Sequence, residues 1–356
     1  MIITRTPFRI TLGGGGTDLP GYYSKHGGFV LSAALNKYMF IYLNTPIVDD
    51  LVRVKYSQSE IVEDVSELQH TLCREALRLF GIRRAIEVIS MADIPAGTGL
   101  GSSSCYLVGL LNALHTLSRK PMSRQELAEE ACHIELDVLK KPIGKQDQYL
   151  AAFGGITALH IERTGAVEVE SIIPNPETLE DLESRIVLFY TGLSRSTEEI
   201  LALQTRDLQE DSSATASYYS QIKEIGLEIY SHLKRGNVRR FGEMLDEHWR
   251  AKKKLGAGVA NPRIDRLYDV ARANGALGGK ISGAGGGGFF LFYAEEGKQE
   301  LRRAMQAEGL REMRFRVDFE GSKILMDLLS GEQYRDHDVR QKAGAGASKE
   351  KIANCR

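Results

Sequence analysis

Short runs of apolar, β-branched residues alternate with segments of helical period through the first half of the chain. Residues 29–43 read as strand, from Phe29 to Leu31 and again from Tyr38 to Leu43, and Ile86, Val88 and Ile89 mark another over 86–91. Leu68, Leu72, Ala76, Leu77 and Phe80 fall on one face of a helix over 66–80. After Gly101, the run Ser102, Ser103, Ser104 suits the cap of a helix whose apolar stripe is Leu107, Leu110, Leu111, Leu114 and Leu117. Ser123, with Glu126 three residues on, has capping-box spacing and opens a helix over 123–140 that Pro142 closes.

Residues 164–185, rich in Pro, Glu and Thr, interrupt this pattern and read as a boundary. Beyond them a strand at 186–190, helices at 195–210, 213–234, 237–254 and 261–274, and a strand at 289–293 make a second half dominated by helices. A chain of 356 residues exceeds the size at which one hydrophobic core keeps growing, so two domains with a cleft between them are expected. The expected division is 1–175, 176–336 and a flexible tail over 337–356, where Ala-Gly repeats carry no pattern.

Composition narrows the function class. Hydrophobic residues at 42% and charged residues at 26% are ordinary for a globular protein, and no stretch approaches membrane-spanning length. Lys plus Arg (46) nearly balance Asp plus Glu (47), so nothing draws the chain to nucleic acid or anionic lipid, and a small-molecule partner is expected. Cys73, Cys105, Cys132 and Cys355 lack CxxC or zinc-ligand spacing, which reads as free thiols in a reducing compartment; with no leader-like opening, the expectation is a cytoplasmic protein.

Glycines cluster beside patterned apolar segments: Gly13 to Gly16, Gly97, Gly99 and Gly101, and Gly283 with Gly285 to Gly288. In Pro95-Ala-Gly-Thr-Gly-Leu-Gly-Ser-Ser-Ser104 the glycines and hydroxyls sit where strand gives way to helix. Backbone N–H groups there lack intrahelical acceptors, so a phosphate can satisfy several at once, and a serine hydroxyl can reach a magnesium ion bound to it. A tight turn with one cap would need only one glycine and one serine. Other nucleotide and catalytic motifs fail. Gly275-Ala-Leu-Gly-Gly-Lys280 approaches a P-loop, but Ile281 stands where Ser or Thr must ligate magnesium. Gly283, Gly285 and Gly288 satisfy GxGxxG, yet a strand follows rather than a helix. His133 and Glu135 lack the Pro-Cys-x-x-Cys of a zinc deaminase, and Gly192-Leu-Ser-Arg-Ser196 lacks the last glycine of a nucleophile elbow. Asp147, in Gly144-Lys-Gln-Asp-Gln-Tyr149, supplies a loop carboxylate that spacing alone leaves as either turn former or catalytic group.

Three segments together resemble the GHMP kinase superfamily: Pro7-Phe-Arg-Ile-Thr-Leu-Gly-Gly-Gly-Gly-Thr-Asp18, Pro95 to Ser104, and Lys280-Ile-Ser-Gly-Ala-Gly-Gly-Gly-Gly-Phe289. Gly144 to Tyr149, Thr191 to Ser196 and Asn261-Pro-Arg-Ile-Asp265 further resemble the D-glycero-D-manno-heptose 7-phosphate kinases within it. The resemblance runs to about residue 330. It implies an α+β, two-domain fold: an N-terminal mixed domain with a left-handed βαβ unit and a C-terminal ferredoxin-like domain, the site lying between them. It implies ATP and Mg2+ as cofactors, a sugar or sugar phosphate as acceptor, and leaves a homodimer open. By motif position it implies Asp147 and Arg9 as catalytic, and Gly15, Gly16, Thr17 and Asp18 around the sugar. Arg195, whose guanidinium can take a phosphate in a two-pronged way beside the Ser194 and Ser196 hydroxyls, is the first candidate for a phosphate on the acceptor, and Lys145 is expected at the substrate beside Asp147. The resemblance implies Gly97, Thr98, Gly99, Leu100, Gly101, Ser102, Ser103, Ser104, Gly285 and Gly286 around ATP, and Ser103 and Glu135 on the metal. Galactokinases carry Gly-Glu-His-Thr-Asp in the first motif; Gly-Gly-Gly-Thr-Asp here disfavours galactose. A fucokinase-like sugar-1-kinase and a non-catalytic sugar-binding regulator are the alternatives.

Overall fold

Two sheets and the helices that cover them organise the chain in the computed structural model, which describes residues 1–193, 197–209, 213–256 and 258–329. The first sheet contains β1 (Ile2–Gly13), β2 (Gly28–Asn44), β3 (Val52–Lys55), β4 (Ser59–Val62), β5 (Ile86–Ala92), β6 (Ile156–Ile161) and β7 (Val167–Ile172). The second contains β8 (Ile186–Tyr190), β9 (Gly278–Ile281), β10 (Phe289–Tyr293) and β11 (Arg311–Met313); the chain then returns to pair β12 (Lys323–Asp327) with β1. In chain order the helices are α1 (Pro20–His26), α2 (Thr71–Leu79), α3 (Ser102–Leu117), α4 (Arg124–Cys132), α5 (Gln146–Phe153), α6 (Pro176–Arg185), α7 (Thr197–Gln209), α8 (Ser213–Lys234), α9 (Phe241–Lys253), α10 (Pro262–Ala273) and α11 (Lys298–Ala307).

The first sheet runs β12-β1-β2-β5-β3-β4, with β6 and β7 continuing from the other half of β2. β2 is one long strand because it changes partner midway: Gly28 to Ala33 pair with β6, and Met39 to Asn44 with β5. β3 and β5 are parallel, so α2 lies on a βαβ crossover. The second sheet is antiparallel in the order β11-β8-β10-β9. Reading β8, helices, β9, β10, α11, β11 as βαββαβ gives the split, ferredoxin-like order that the family resemblance implies.

Sequence expectations and structure differ at three places. Residues 164–185, expected as an irregular boundary, are ordered: Val167 and Val169 share the inner side of β7 while Glu168 faces out, Ile172 is buried at its end, and α6 starts at an Asn175 cap with Pro176 in its first turn. The helix expected over 123–140 begins at the Ser123–Glu126 capping box, but α4 passes at His133–Val138 into a π-helical turn. The helix after Gly101 has no serine cap; Gly101 itself is the cap residue, in left-handed conformation, with no side chain closing the first turn. The expected tail over 337–356 lies outside the described residues.

The domains share apolar core. Ile225, Ile229 and Leu233 of α8 join the cluster built on β1, β2 and α3, while Trp249, Phe290, Phe292 and Tyr268 centre a second one under the ferredoxin-like sheet. Burying one such side chain stabilises by about 1.5–3 kcal/mol. The cleft walls are therefore set on packed elements rather than on a hinge between separate cores.

Candidate active site

β1 carries Arg9 and Thr11 toward the start of α5, where Gln146 and Asp147 stand. Arg9 Nε donates to Asp147 Oδ1 at 2.6 Å and a second guanidinium nitrogen lies 2.5 Å from the same oxygen. Arg9 Nη1 donates to the Gly99 carbonyl at 2.8 Å, so one buried side chain ties the carboxylate to the glycine loop. Asp147 keeps 24% of its side chain exposed, toward the cleft. Thr11 Oγ1 donates to Gln146 Oε1 at 2.7 Å and steadies the same helix start.

Asp18 is buried at the end of the first glycine segment. Its Oδ1 accepts from the Gly16 N–H and its Oδ2 from the Gln146 N–H, each at 3.0 Å. Burial pushes its carboxyl up from the usual range, while the Gln146 N–H pulls the other way. Gly15 and Gly16 line the cleft beside it.

The 95–104 segment forms the opposite part of the wall. Gly101 (φ 83°) caps α3, leaving the first-turn N–H groups uncapped by any side chain. Added to Gly101, a Cβ would sit 3.2 Å from Asp147 Cγ. Gly99 and Gly283 press backbone to backbone: a Cβ on either would stand 2.7 Å from the other segment's carbonyl oxygens, on Ser282 and Gly99. Thus the third motif's glycines serve the fit of one domain's loop against the other's.

A cleft of about 560 Å³ gathers these parts. Arg9, Gly15, Gly16, Asp18, Gly97, Gly99, Gly101, Ser102, Ser103, Ser104 and Asp147 line it. Other expected site residues lie elsewhere. Thr17 is buried, its hydroxyl in reach of the Gly14 and Phe29 carbonyls, and it holds the loop rather than the cleft. Thr98 and Leu100 are buried too, Thr98 Oγ1 donating to the Pro95 carbonyl and Leu100 accepting from the Arg9 N–H. Lys145 turns away from Asp147: its ammonium donates to the Gly165 carbonyl at 2.5 Å beside the Tyr23 ring. Gly285 and Gly286 pack on Val259, leaving Gly283 and Ala284 in the wall. Glu135 sits behind it, fully buried; Oε2 accepts from Ser104 Oγ (2.7 Å) and Gln148 Nε2 (2.6 Å), and Oε1 from Lys141 Nζ (3.3 Å). Arg195, with Ser194 and Ser196, lies outside the described residues.

Sequence reasoning missed the C-terminal wall: Gln204 of α7, Tyr219 of α8, His248 and Lys252 of α9, and Lys280 of β9. A signal exists for α9. Leu245, His248, Trp249 and Lys252 share one helical face, and a His and a Lys on an otherwise apolar stripe mark a polar site behind it.

A glycine loop opening a helix, a carboxylate locked to an arginine and a cleft between two domains define a phosphotransferase site that uses no P-loop lysine. Comparison with known proteins agrees. The GHMP kinases N terminal domain family matches residues 63–155, and the GHMP kinases C terminal family matches residues 229–310. A D-glycero-alpha-D-manno-heptose 7-phosphate kinase of Campylobacter jejuni is 30% identical over 321 residues, covering 86% of this chain and 94% of that protein. An L-fucokinase/L-fucose-1-P guanylyltransferase of Bacteroides fragilis is 28% identical over 84% of this chain, which spans 35% of that larger protein. Among solved structures, a D-glycero-D-manno-heptose 1-phosphate kinase from Bacteroides thetaiotaomicron superposes with a TM-score of 0.75 at 26% identity, covering 93% of this chain and all of that one (100%). The chain belongs to the GHMP kinase family, and its two-domain α+β fold is that family's.

Proposed function

We propose that the protein is an ATP-dependent sugar kinase of the heptose-kinase type. It transfers the γ-phosphoryl group to the anomeric C1 hydroxyl of D-glycero-D-manno-heptose 7-phosphate and yields the 1,7-bisphosphate for nucleotide-activated heptose and surface polysaccharide. The observation that carries this reading is the Arg9–Asp147 pair set between the glycine loop and Asp18. Asp147 accepts the C1 proton as the oxygen attacks phosphorus and the bond to the β-phosphate oxygen breaks. Arg9 orients Asp147 and faces the developing charge. Gly97 to Ser104 hold the nucleotide phosphates on their N–H groups. Gly15, Gly16 and Asp18 hold sugar hydroxyls. The protein works in the cytoplasm, where ATP is at hand.

Magnesium, when bound, neutralises the β- and γ-phosphates. Among the described residues no group of three or more His, Cys, Asp or Glu side chains is placed to hold a metal, which suits an ion held chiefly by substrate phosphates and water. Ser103 at the cleft wall fits as its hydroxyl ligand. Glu135 is already bonded to Ser104, Gln148 and Lys141, so direct ligation requires those donors to release it.

The test compares kcat/KM for heptose 7-phosphate, the unphosphorylated heptose and L-fucose, with the product read by phosphorus NMR. A strong preference for the 7-phosphate, weakened in Arg195→Ala, is expected. Equal use of both heptoses overturns the substrate assignment in favour of a fucokinase-like enzyme, and no ATP consumption with any sugar leaves a sugar-binding regulator.

A further inference from the structure

Two lysines on the C-terminal wall are placed at a cost to the unliganded protein. Lys252 is buried; its ammonium donates to the Gly283 carbonyl and lies 3.4 Å from that of Ile281. Lys280 is 2% exposed, and its ammonium has no hydrogen-bond or ion-pair partner among the described residues. One turn before Lys252, His248 is fully buried with both ring nitrogens unpartnered. Arg9 of the other domain, a cation close enough to disfavour charge on both lysines, is already committed to Asp147.

Burial pushes Lys252 down to about 7, with Arg9 adding to the effect. Burial pushes Lys280 well below its usual range, with Lys252 and then Arg9 reinforcing it, and it pushes His248 down likewise. Cations in such a place destabilise a fold unless a counter-charge fills the site. Apolar residues at these two positions would carry no such penalty. Cleft-facing position, the lack of a carboxylate partner for either lysine among the described residues and convergence from α9 and β9 all point to an anion that arrives with a ligand.

We propose that Lys252 and Lys280 form a phosphate-monoester-binding pair on the C-terminal wall of the cleft, with His248 as an adjoining N–H donor. The proposal rests on the reading that this cleft receives phosphorylated ligands. Two groups share the chemistry: the terminal phosphoryl of the nucleotide and the phosphate that the acceptor carries. A bound dianion restores the charged form of the lysines, so binding takes up protons above about neutral pH.

The test is calorimetric titration at about pH 8, in two buffers of different ionisation heat, so that the proton count is read beside affinity. Ligands are a non-hydrolysable ATP analogue bearing three phosphates, ADP, heptose 7-phosphate and unphosphorylated heptose, with wild type, Lys252→Met and Lys280→Met. Expected is proton uptake by wild type and, in both variants, affinity lower by on the order of 10- to 100-fold with uptake lost. If only the ATP analogue weakens relative to ADP, the pair holds the terminal phosphoryl. If only heptose 7-phosphate weakens relative to heptose, it holds the acceptor's phosphate. Unchanged affinity and uptake for both overturn the proposal. A wild type that binds the ATP analogue but not heptose 7-phosphate overturns the substrate reading alone, and the nucleotide arm still decides the lysines. Melting temperatures of the Met variants at or above wild type are expected, because each removes a buried ammonium; should either fail to fold, the Gln variant at the same position carries the same titrations.

Discussion

Arg9 and Asp147 stand 138 positions apart, and the guanidinium of one holds the carboxylate of the other through a 2.6 Å hydrogen bond. Because Arg9 also donates to the Gly99 carbonyl, one side chain ties the glycine loop to the Asp147 carboxylate.

Asp147→Asn should lower kcat by on the order of 10²–10⁴ while leaving ATP binding near wild type. Rapid-quench kinetics alongside nucleotide titration check this. A wild-type kcat removes Asp147 from the mechanism.

The neighbouring serines should separate by readout. Ser103→Ala should raise the magnesium concentration for half-maximal rate. Ser104→Ala deletes a buried bond to Glu135 and should instead lower stability by about 1–3 kcal/mol, with the magnesium curve little changed. Denaturant melts and magnesium titrations of both variants decide it; identical magnesium curves for Ser103→Ala and wild type refute the metal role.

Gly101→Ala places a side chain at φ 83° and 3.2 Å from Asp147 Cγ. Activity should fall by more than the loss of stability accounts for, because the displaced group is the carboxylate itself. A variant with lowered melting temperature and normal kcat would contradict this.

Stability of the unliganded protein should rise with pH above about 7. Lys252 has its folded pKa depressed to about 7 from 10.5, so between those values the unfolded chain binds the extra proton and folding gains as pH increases. For one such group the slope is at most about 1.4 kcal/mol per pH unit. Denaturant melts across this window should show the rise in wild type and a smaller one in Lys252→Met.

Local chemistry along the chain determined much of this protein. The Ser123–Glu126 box is a contact between near neighbours, and the apolar stripe of α3 and the β-branched and aromatic run of β8 are local patterns legible without their long-range partners. The glycine loops and Asp147 were likewise visible, through motifs whose spacing matches a family. β1 carries the two-residue alternation of a strand, Phe8, Ile10 and Leu12 against Arg9 and Thr11, but the glycine motif at its end drew the reading to chemistry rather than to the strand; that its polar side is buried as well is decided by what packs on it. β7 escaped notice because its charged edge reads as loop. Only the tertiary structure decided which motif residues face the cleft. Thr17, Lys145 and Glu135 lie in the right segments, yet nearby carbonyls and donors take their polar atoms first. Only it brought Lys252 and Lys280 to the site, since they come from a helix and a strand of the other domain, and a side chain's environment is set by what packs against it from far along the chain.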